Sequence, residues 1–107
     1  MPPRRVIVIG VLIVDDEALF RKVLAIAFGR QAGIEVLGQC ADGTEASAAA
    51  RRLRPDVVLM DLHMPGTCGL QATRALLMAH PPARVIILTA SPTKRAISDA
   101  ADAGASG

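Results

Sequence analysis

The sequence predicts an α/β protein built on a doubly wound parallel sheet, and two observations lead to this prediction. Short apolar segments rich in β-branched residues alternate with longer segments in which apolar residues recur at helical spacing. This alternation repeats four times with short connections. Strands and helices in such an order form parallel strands joined by right-handed crossovers, with helices on both faces of the sheet. A length of 107 residues leaves room for one such domain.

Four apolar segments are predicted to be strands. Residues 6–14 are apolar almost without interruption, which is typical of a strand buried on both faces. We expect Gly10 to divide a loose leading segment from the strand proper, Val11–Val14. The other strands are predicted over Ile34–Cys40, Asp56–Met60 and Arg84–Leu88.

The first helix is predicted from about Glu17 to Arg30, where apolar residues recur every three or four positions. A repeat of this kind places its apolar side chains on the sheet. We therefore expect Leu19, Val23, Ile26 and Leu24 to lie in the core and not to form a surface for a partner.

The three remaining helices follow the second, third and fourth strands. A loop with strong turn residues over Met64–Gly69 precedes the third helix, and we expect His80 to be the solvated end of that helix. The fourth helix is predicted to begin with Ser91 as its N-cap and Pro92 as its first helical residue.

Composition and charge argue against several classes of function. The chain has 12 basic and 10 acidic residues and no Trp or Tyr, so it offers nucleic acid neither a broad basic face nor stacking rings. Its apolar start is too short to span a bilayer and lacks a signal-peptide cleavage site. Cys40 and Cys68 lack metal-type spacing and are expected to be free thiols. We therefore expect a cytoplasmic protein that binds neither nucleic acid nor membrane through this chain.

Polar residues follow three of the predicted strands at their carboxyl ends. Asp15 and Asp16 follow the first strand, Asp61 the third and Thr89 the fourth. Ligands of an open parallel sheet bind outside this edge, at the point where the strand order reverses. The first and third strands should therefore be neighbours, with the second strand outside the first, which corresponds to the sheet order 2-1-3-4.

Three carboxylates gathered at one sheet edge repel one another and resist joint ionisation unless a cation lies between them. Oxygen ligands, with no thiolate and no ligating histidine nearby, favour Mg²⁺ or Mn²⁺ over zinc. The sequence therefore predicts a site for Mg²⁺ or Mn²⁺ formed by Asp15, Asp16 and Asp61.

The motifs of this chain resemble those of the receiver domain of two-component response regulators, which has the flavodoxin-like fold also called CheY-like. The matching segments extend over nearly the whole chain from Val11. They are Val14-Asp15-Asp16, Met60-Asp61-Leu62-His63-Met64-Pro65-Gly66, Leu88-Thr89-Ala90 and Ala103-Gly104-Ala105-Ser106-Gly107. The Met-Pro-Gly-x-x-Gly-Leu loop and the Ala-Gly-Ala-Ser-Gly ending are most similar to NarL/FixJ-type regulators.

The resemblance implies a role for each acidic residue. Asp61 would be the phosphoacceptor, which takes a phosphoryl group from the phosphohistidine of a sensor histidine kinase. Asp16 and Asp61 would ligate Mg²⁺ directly, together with the backbone carbonyl of His63. Asp15 would act largely through a metal-bound water.

The resemblance also implies how phosphorylation is read out. Thr89 would hydrogen-bond a phosphoryl oxygen, and Ala90 beside it is small enough to leave room for that group. The fourth strand and helix would then shift between two packings that a partner reads. The output would be regulation of transcription, through a C-terminal domain that this chain does not contain.

Some parts that the resemblance implies are not found in this sequence. A fifth strand with a lysine, and then a helix, would follow Gly107, and neither Lys22 nor Lys94 matches that lysine. We expect residues 1–107 to form a receiver domain without its last strand and helix, preceded by an extension over residues 1–10. The fourth strand would then be an exposed apolar edge, covered by further chain or by a second copy in a homodimer.

Two other functions are compatible with these residues. A receiver-like interaction module that is not phosphorylated would keep the fold for docking, and the missing lysine supports this alternative. A Mg²⁺-dependent phosphohydrolase of the haloacid dehalogenase kind also uses a strand-end aspartate. Such enzymes have a second acid two residues later, where this chain has His63.

Overall fold

The computed structural model describes residues 7–64, 67–89 and 92–107 of the chain. Helices and strands alternate along it as the sequence predicts, with one short hairpin added after the third strand. The elements in chain order are β1 (Ile9–Val14), α1 (Ala18–Gly29), β2 (Ile34–Cys40), α2 (Gly43–Leu53), β3 (Val57–Asp61), β4 (His63–Met64), β5 (Thr67–Cys68), α3 (Gly69–Ala79), β6 (Arg84–Leu88) and α4 (Lys94–Ala103).

The main sheet has four parallel strands in the order β2-β1-β3-β6. Because β6 is the fourth predicted strand, the predicted order 2-1-3-4 is confirmed. In the register of the sheet, Val14 of β1 pairs with Met60 of β3, and Asp61 pairs with Leu88 of β6. The carboxyl ends of these three strands therefore lie at one level, and the residues that follow them share one edge.

The core consists of two layers, one on each face of the sheet. On one face, Leu12, Val14, Val58 and Met60 pack against small and apolar residues of α2 and α3. On the other face, the side chains of the sheet pack against α1. The members of this second layer are Val11, Ile13 and Leu59, with Leu24, Ala25 and Phe28 of α1 beside them. None of the described helices is long and apolar enough to cross a membrane.

The prediction of a core position is confirmed for Leu24, which packs against the second layer, but it is wrong for Leu19, Val23 and Ile26. Their side chains are 74%, 53% and 48% exposed, respectively. Two apolar stripes run along α1, and only the stripe that contains Leu24 and Phe28 faces the sheet. Helical periodicity reveals that a helix has an apolar face, but it does not tell which of two such faces is covered.

The prediction that Gly10 separates a loose segment from the first strand is also wrong. Gly10 lies inside β1 and pairs with Glu35 of β2. Its N–H donates to the Asp56 carboxylate at 2.7 Å, and its carbonyl accepts from the Asp56 N–H at 2.8 Å. Glycine fits here because a Cβ atom would lie only 2.6 Å from the Leu37 side chain. The residue therefore marks a close approach of side chain to strand.

His80 is not the solvated helix end that the sequence predicts, since it is only 5% exposed. Its ring Nε2 lies 2.9 Å from the carbonyl oxygen of Pro55, in the connection between α2 and β3. A buried imidazole needs such a partner because an unsatisfied polar atom in the interior is costly. His80 thus links the end of α3 to the start of β3.

The connections before α3 and α4 also differ from the prediction. His63 pairs with Cys68 in a short antiparallel hairpin, where the sequence indicates a plain loop. At α4, the helix begins at Lys94, and the Thr93 hydroxyl accepts from the Ala96 N–H at 3.0 Å. Pro92 therefore precedes the helix and is not its first residue, and Ser91 lies outside the described residues.

The outer edge of β6 is not fully exposed, contrary to the expectation from the sequence. The Ser106 N–H donates to the Val85 carbonyl at 2.8 Å, and the Ile87 N–H donates to the Gly107 carbonyl at 2.9 Å. These bonds satisfy part of the edge with the last two residues of the chain itself. Ile86 of the same strand is 38% exposed.

Gly69, the first residue of α3, lies directly against the backbone at the carboxyl end of β3. Its N–H donates to the Leu62 carbonyl at 3.1 Å. A Cβ atom on Gly69 would overlap the Asp61 carbonyl oxygen and would lie 2.8 Å from the Leu62 Cα. Only glycine allows α3 to begin directly against this backbone.

We expect Gly69→Ala to lower the free energy of unfolding by about 1–3 kcal/mol, because the backbone around residue 61 must shift to admit the methyl group. Chemical denaturation followed by circular dichroism measures this change. Gly29→Ala is the matched control, since nothing lies within 4 Å of a Cβ atom there. It should leave stability unchanged or raise it by up to about 1 kcal/mol. Equal effects of the two substitutions would contradict the role of Gly69.

Candidate functional site

The three predicted acidic residues come together at the carboxyl edge of the sheet. Asp15 and Asp16 follow β1 directly, and Asp61 is the last residue of β3. One oxygen of each carboxylate lies within 4.8 Å of the other two. Asp15 is buried, Asp61 is half-buried and Asp16 is exposed. The group could hold a metal ion, as the sequence predicts.

Asp15 is held by hydrogen bonds at each of its polar groups. Its N–H donates to the Cys40 carbonyl at 3.1 Å, and its carboxylate Oδ1 accepts from the Glu17 N–H at 2.8 Å. Its carbonyl accepts from the guanidinium Nη1 of Arg21 at 2.7 Å. The sequence analysis did not single out Arg21. The signal available there was a cation one helical turn into α1, close behind an acidic pair.

Asp61 is fixed by its place in the sheet and by the turn that follows it. It pairs with Leu88, and the next residue, Leu62, donates its N–H to the Leu88 carbonyl at 3.1 Å. The His63 N–H donates to Asp61 Oδ1 at 3.1 Å. Because Thr89 follows Leu88 directly, the register of β3 and β6 brings Thr89 next to Asp61.

The electrostatics of the group oppose the ionisation of Asp61. Burial raises the pKa of Asp61 above its ordinary value, and the hydrogen bond from the His63 N–H lowers it in part. The negative charges of Asp15 and Asp16, and a side-chain hydrogen bond with Asp16, raise this pKa further. A cation between the three carboxylates would remove this repulsion.

The acidic residues line an open cleft of about 500 Å³. Thr89 and His63 line the cleft too, so both predicted residues lie at the site. Phe20, which the helical pattern places with the apolar face of α1, also lines this cleft. The other predicted residue, Ala90, lies outside the described part of the chain.

The donor set fits a hard divalent cation. It consists of carboxylate oxygens at one sheet edge, with a formal charge of −3 when all three acids are ionised. Both cysteines are free, and burial, as the largest cause, raises the pKa of Cys40 to about 11, which disfavours a thiolate there. Oxygen ligands of this kind suit Mg²⁺ or Mn²⁺ better than zinc.

A parallel sheet in this order, with an acidic cleft at its switch point, defines a class of α/β proteins that bind ligands outside the strand ends. Residues 11–107 match the response regulator receiver domain family. The chain therefore belongs to the response regulator receiver domain family, as the motifs of the sequence predict.

Similar proteins include a response regulator and a protein-glutamate methylesterase/protein-glutamine glutaminase. The chain is 47% identical over 81 residues to the response regulator GacA of Pseudomonas viridiflava, which covers 76% of this chain and 38% of that protein. It is 49% identical over 88 residues to a protein-glutamate methylesterase/protein-glutamine glutaminase of Anaeromyxobacter dehalogenans, covering 82% of this chain and 26% of the relative. The chain thus spans between a quarter and two fifths of these two relatives.

A solved structure supports the same assignment. The two-component response regulator of the LuxR family from Aurantimonas sp. SI85-9A1 superposes with a TM-score of 0.88 at 34% identity, over 94% of this chain and 71% of that one. This similarity confirms the CheY-like fold. It also agrees with the NarL/FixJ-type features of the loop and of the chain's ending.

We expect Asp61→Asn to raise the melting temperature by a few degrees at pH 7 in metal-free buffer. The folded-state pKa of Asp61 lies above the ordinary value of 3.8, so Asp61 begins to destabilise the fold as the pH rises past 3.8, and the whole effect is present once the pH exceeds the folded-state pKa. The gain stays small because the cleft is open to solvent. It should disappear below pH 3.8, where the acid is protonated in both states.

Thermal unfolding followed by circular dichroism at several pH values measures this difference. Glu35→Gln, at an exposed acid of β2, is the control and should not change the melting temperature in the same way. A lower melting temperature for Asp61→Asn at neutral pH would contradict the stated electrostatics.

Proposed function

We propose that this receiver domain accepts a phosphoryl group on Asp61 from a sensor histidine kinase and switches conformation in response. One observation carries the proposal: Asp61 shares a single cleft with Asp15, Asp16 and Thr89, and its carboxylate lies within 4.8 Å of the other two. An aspartate that only ended a strand would not be expected to share a cleft with two other acids and a threonine.

The proposed step is a transfer between two nucleophiles. A carboxylate oxygen of Asp61 forms a bond to phosphorus while the phosphorus–nitrogen bond of the kinase phosphohistidine breaks, and the released imidazole nitrogen keeps the electron pair. Asp61 must be ionised to attack. Burial and the neighbouring acids raise the pKa of Asp61, and a cation that balances those acids would favour its ionised form.

Asp16 and Asp61, with the backbone carbonyl of His63, would hold a magnesium ion, and Asp15 would contact it through water. Bound there, Mg²⁺ or Mn²⁺ supplies positive charge that offsets the phosphoryl oxygens during transfer. The Glu17 N–H donates to the Asp15 carboxylate and the His63 N–H to the Asp61 carboxylate. These two hydrogen bonds keep the carboxylates oriented for binding the cation. The chain's own contribution is orientation of the three acids.

Thr89 is proposed to hydrogen-bond a phosphoryl oxygen, and Ala90 to leave room for that group. Thr89 lines the acidic cleft and also a second cavity of about 300 Å³ beneath α4. A movement of its hydroxyl toward Asp61 would therefore change the packing of α4. This connection supports a switch that a partner reads at the fourth strand and helix.

The protein is proposed to act in the cytoplasm as a phosphoacceptor and not as an enzyme on separate substrates. Its two free cysteines fit a reducing compartment. The methylesterase relative matches only over a quarter of its length, so that relative's activity is not carried over. We propose residues 1–107 as a receiver domain and transcription as the output of a further domain. The leading extension predicted over residues 1–10 is shorter than expected, because Ile9 and Gly10 belong to β1.

We expect a small acyl phosphate to label the wild-type protein in the presence of Mg²⁺ and to leave Asp61→Asn unlabelled, because the amide cannot form the acyl phosphate bond. Radiolabel incorporation, with and without a chelator, measures this. Asp102→Asn, at an exposed acid of α4, is the control and should be labelled like the wild type. Comparable label on Asp61→Asn would refute the assignment of the phosphoacceptor.

Two further measurements, turnover of a phosphate ester and titration with Mg²⁺, separate the alternatives. Multiple turnover of a phosphate ester would favour the phosphohydrolase. A protein that binds no Mg²⁺ at millimolar concentration and takes up no label would be the non-phosphorylated interaction module. The described geometry favours the switch, because an idle site has no reason to keep three repelling carboxylates together.

We also propose that the remaining edge of β6 is covered by a second copy of the chain. The exposed apolar side chain of Ile86 supports this. Light scattering on the 107-residue protein is expected to give a mass above 11.2 kDa. A monodisperse monomer would contradict the homodimer.

A further inference from the structure

Arg21 reaches back from α1 to the residue that precedes the acidic site. It is the fourth residue of the helix, and its own N–H is bonded to the Glu17 carbonyl at 3.0 Å. Its partly buried side chain returns along the helix, and Nη1 donates to the Asp15 carbonyl at 2.7 Å. A guanidinium that donates to a backbone carbonyl fixes the position of that peptide group.

The peptide group that Arg21 binds joins Asp15 to Asp16. A peptide group is planar, so the direction of the Asp15 carbonyl also sets the direction of the Asp16 N–H and the placement of its Cα atom. Asp16 is exposed, so packing holds its side chain less firmly than that of the buried Asp15. The position of the preceding peptide group therefore matters more for placing the Asp16 carboxylate beside the other two acids.

Asp15 makes two other hydrogen bonds, and in both its partner is a main-chain group. Its N–H donates to the Cys40 carbonyl, and its carboxylate accepts from the Glu17 N–H. They hold the N–H and the carboxylate of Asp15. The Arg21 contact is the one of the three that a side-chain substitution removes while both acids stay in place. The Arg21 contact is also the one that holds the peptide group joining Asp15 to Asp16.

The charge of Arg21 acts in the opposite direction to its hydrogen bond. A guanidinium is always protonated, so Arg21 places a positive charge near the acidic cleft. A fixed cation close to the acidic cleft repels a second cation. Coulomb interactions alone would therefore make Mg²⁺ bind more tightly when Arg21 is neutralised.

We infer that Arg21 is a positioning residue of the acidic site, which orients the Asp15–Asp16 peptide so that Asp16 can ligate the cation. The inference rests on the proposed function of this site. It predicts that neutralising Arg21 weakens Mg²⁺ binding, which is the reverse of the effect of its charge.

The test is a calorimetric titration of Mg²⁺ into the wild-type chain, Arg21→Gln and Lys22→Gln. Lys22 is the matched control, because it is the exposed neighbour of Arg21 on α1 and its substitution changes the net charge equally. Arg21→Gln should raise the Kd for Mg²⁺ roughly tenfold, as loss of a residue that orients a metal ligand typically does. Lys22→Gln should leave the Kd within about twofold of the wild type or tighten binding slightly.

A second measurement separates weaker Mg²⁺ binding from a loss of stability in Arg21→Gln. The rise in melting temperature on adding Mg²⁺ reports binding to the folded state alone. It should be smaller in Arg21→Gln than in Lys22→Gln, whatever the melting temperatures in chelator. Repeating the titration at high salt should leave the weakening in place, because screening removes only the charge effect.

Equal or tighter binding by Arg21→Gln would overturn the inference while leaving the proposed function intact. A wild-type chain that binds no Mg²⁺ would overturn the proposed metal site and this inference together. Weaker binding by Arg21→Gln with unchanged binding by Lys22→Gln supports it.

Discussion

The mutual repulsion of three carboxylates is the constraint on which the site depends, and the backbone around them holds them together against it. Asp15 and Asp61 use the same device at the ends of β1 and β3. The Oδ1 atom of each accepts the N–H of the residue two positions later, Glu17 and His63, respectively. Such a turn fixes the carboxylate and offsets part of its charge. The sheet thus presents two aspartates in similar local geometry, with the Asp16 carboxylate within 4.8 Å of both.

The remainder of the fold fixes the level at which these turns meet. The β3–β6 register pairs Asp61 with Leu88, and α3 begins at Gly69 in direct contact with the backbone of residues 61 and 62. A shift by one residue in this register would reverse the faces of β3 and take Asp61 out of the cleft. The buried layers above and below the sheet resist such a shift, because Val58 and Met60 are completely buried on the opposite face to Leu59.

The strand ends and the site could be predicted from the sequence because they depend on short apolar segments that end in polar residues, which is a local signal, and on general topology rules. Which apolar stripe of α1 is buried could not be predicted, since Leu19 and Val23 belong to a stripe as regular as the one that faces the sheet. His80 and Gly10 were misread for a different reason. Their partners, Pro55 and Asp56, are distant along the chain, and only the folded structure shows that these groups meet.

Thr89 shows how a change at the acidic cleft could reach the surface. It lies between that cleft and the cavity beneath α4, and α4 contributes only Ala100 and Ala103 to the core. Burial of two methyl groups stabilises a helix by on the order of 1 kcal/mol each, so α4 is held weakly compared with α3, in which Leu76 is fully buried. The net contribution of one hydrogen bond is of the same magnitude. The two energies are comparable, so the proposed bond from Thr89 to a phosphoryl group on Asp61 is on the scale needed to change the position of α4.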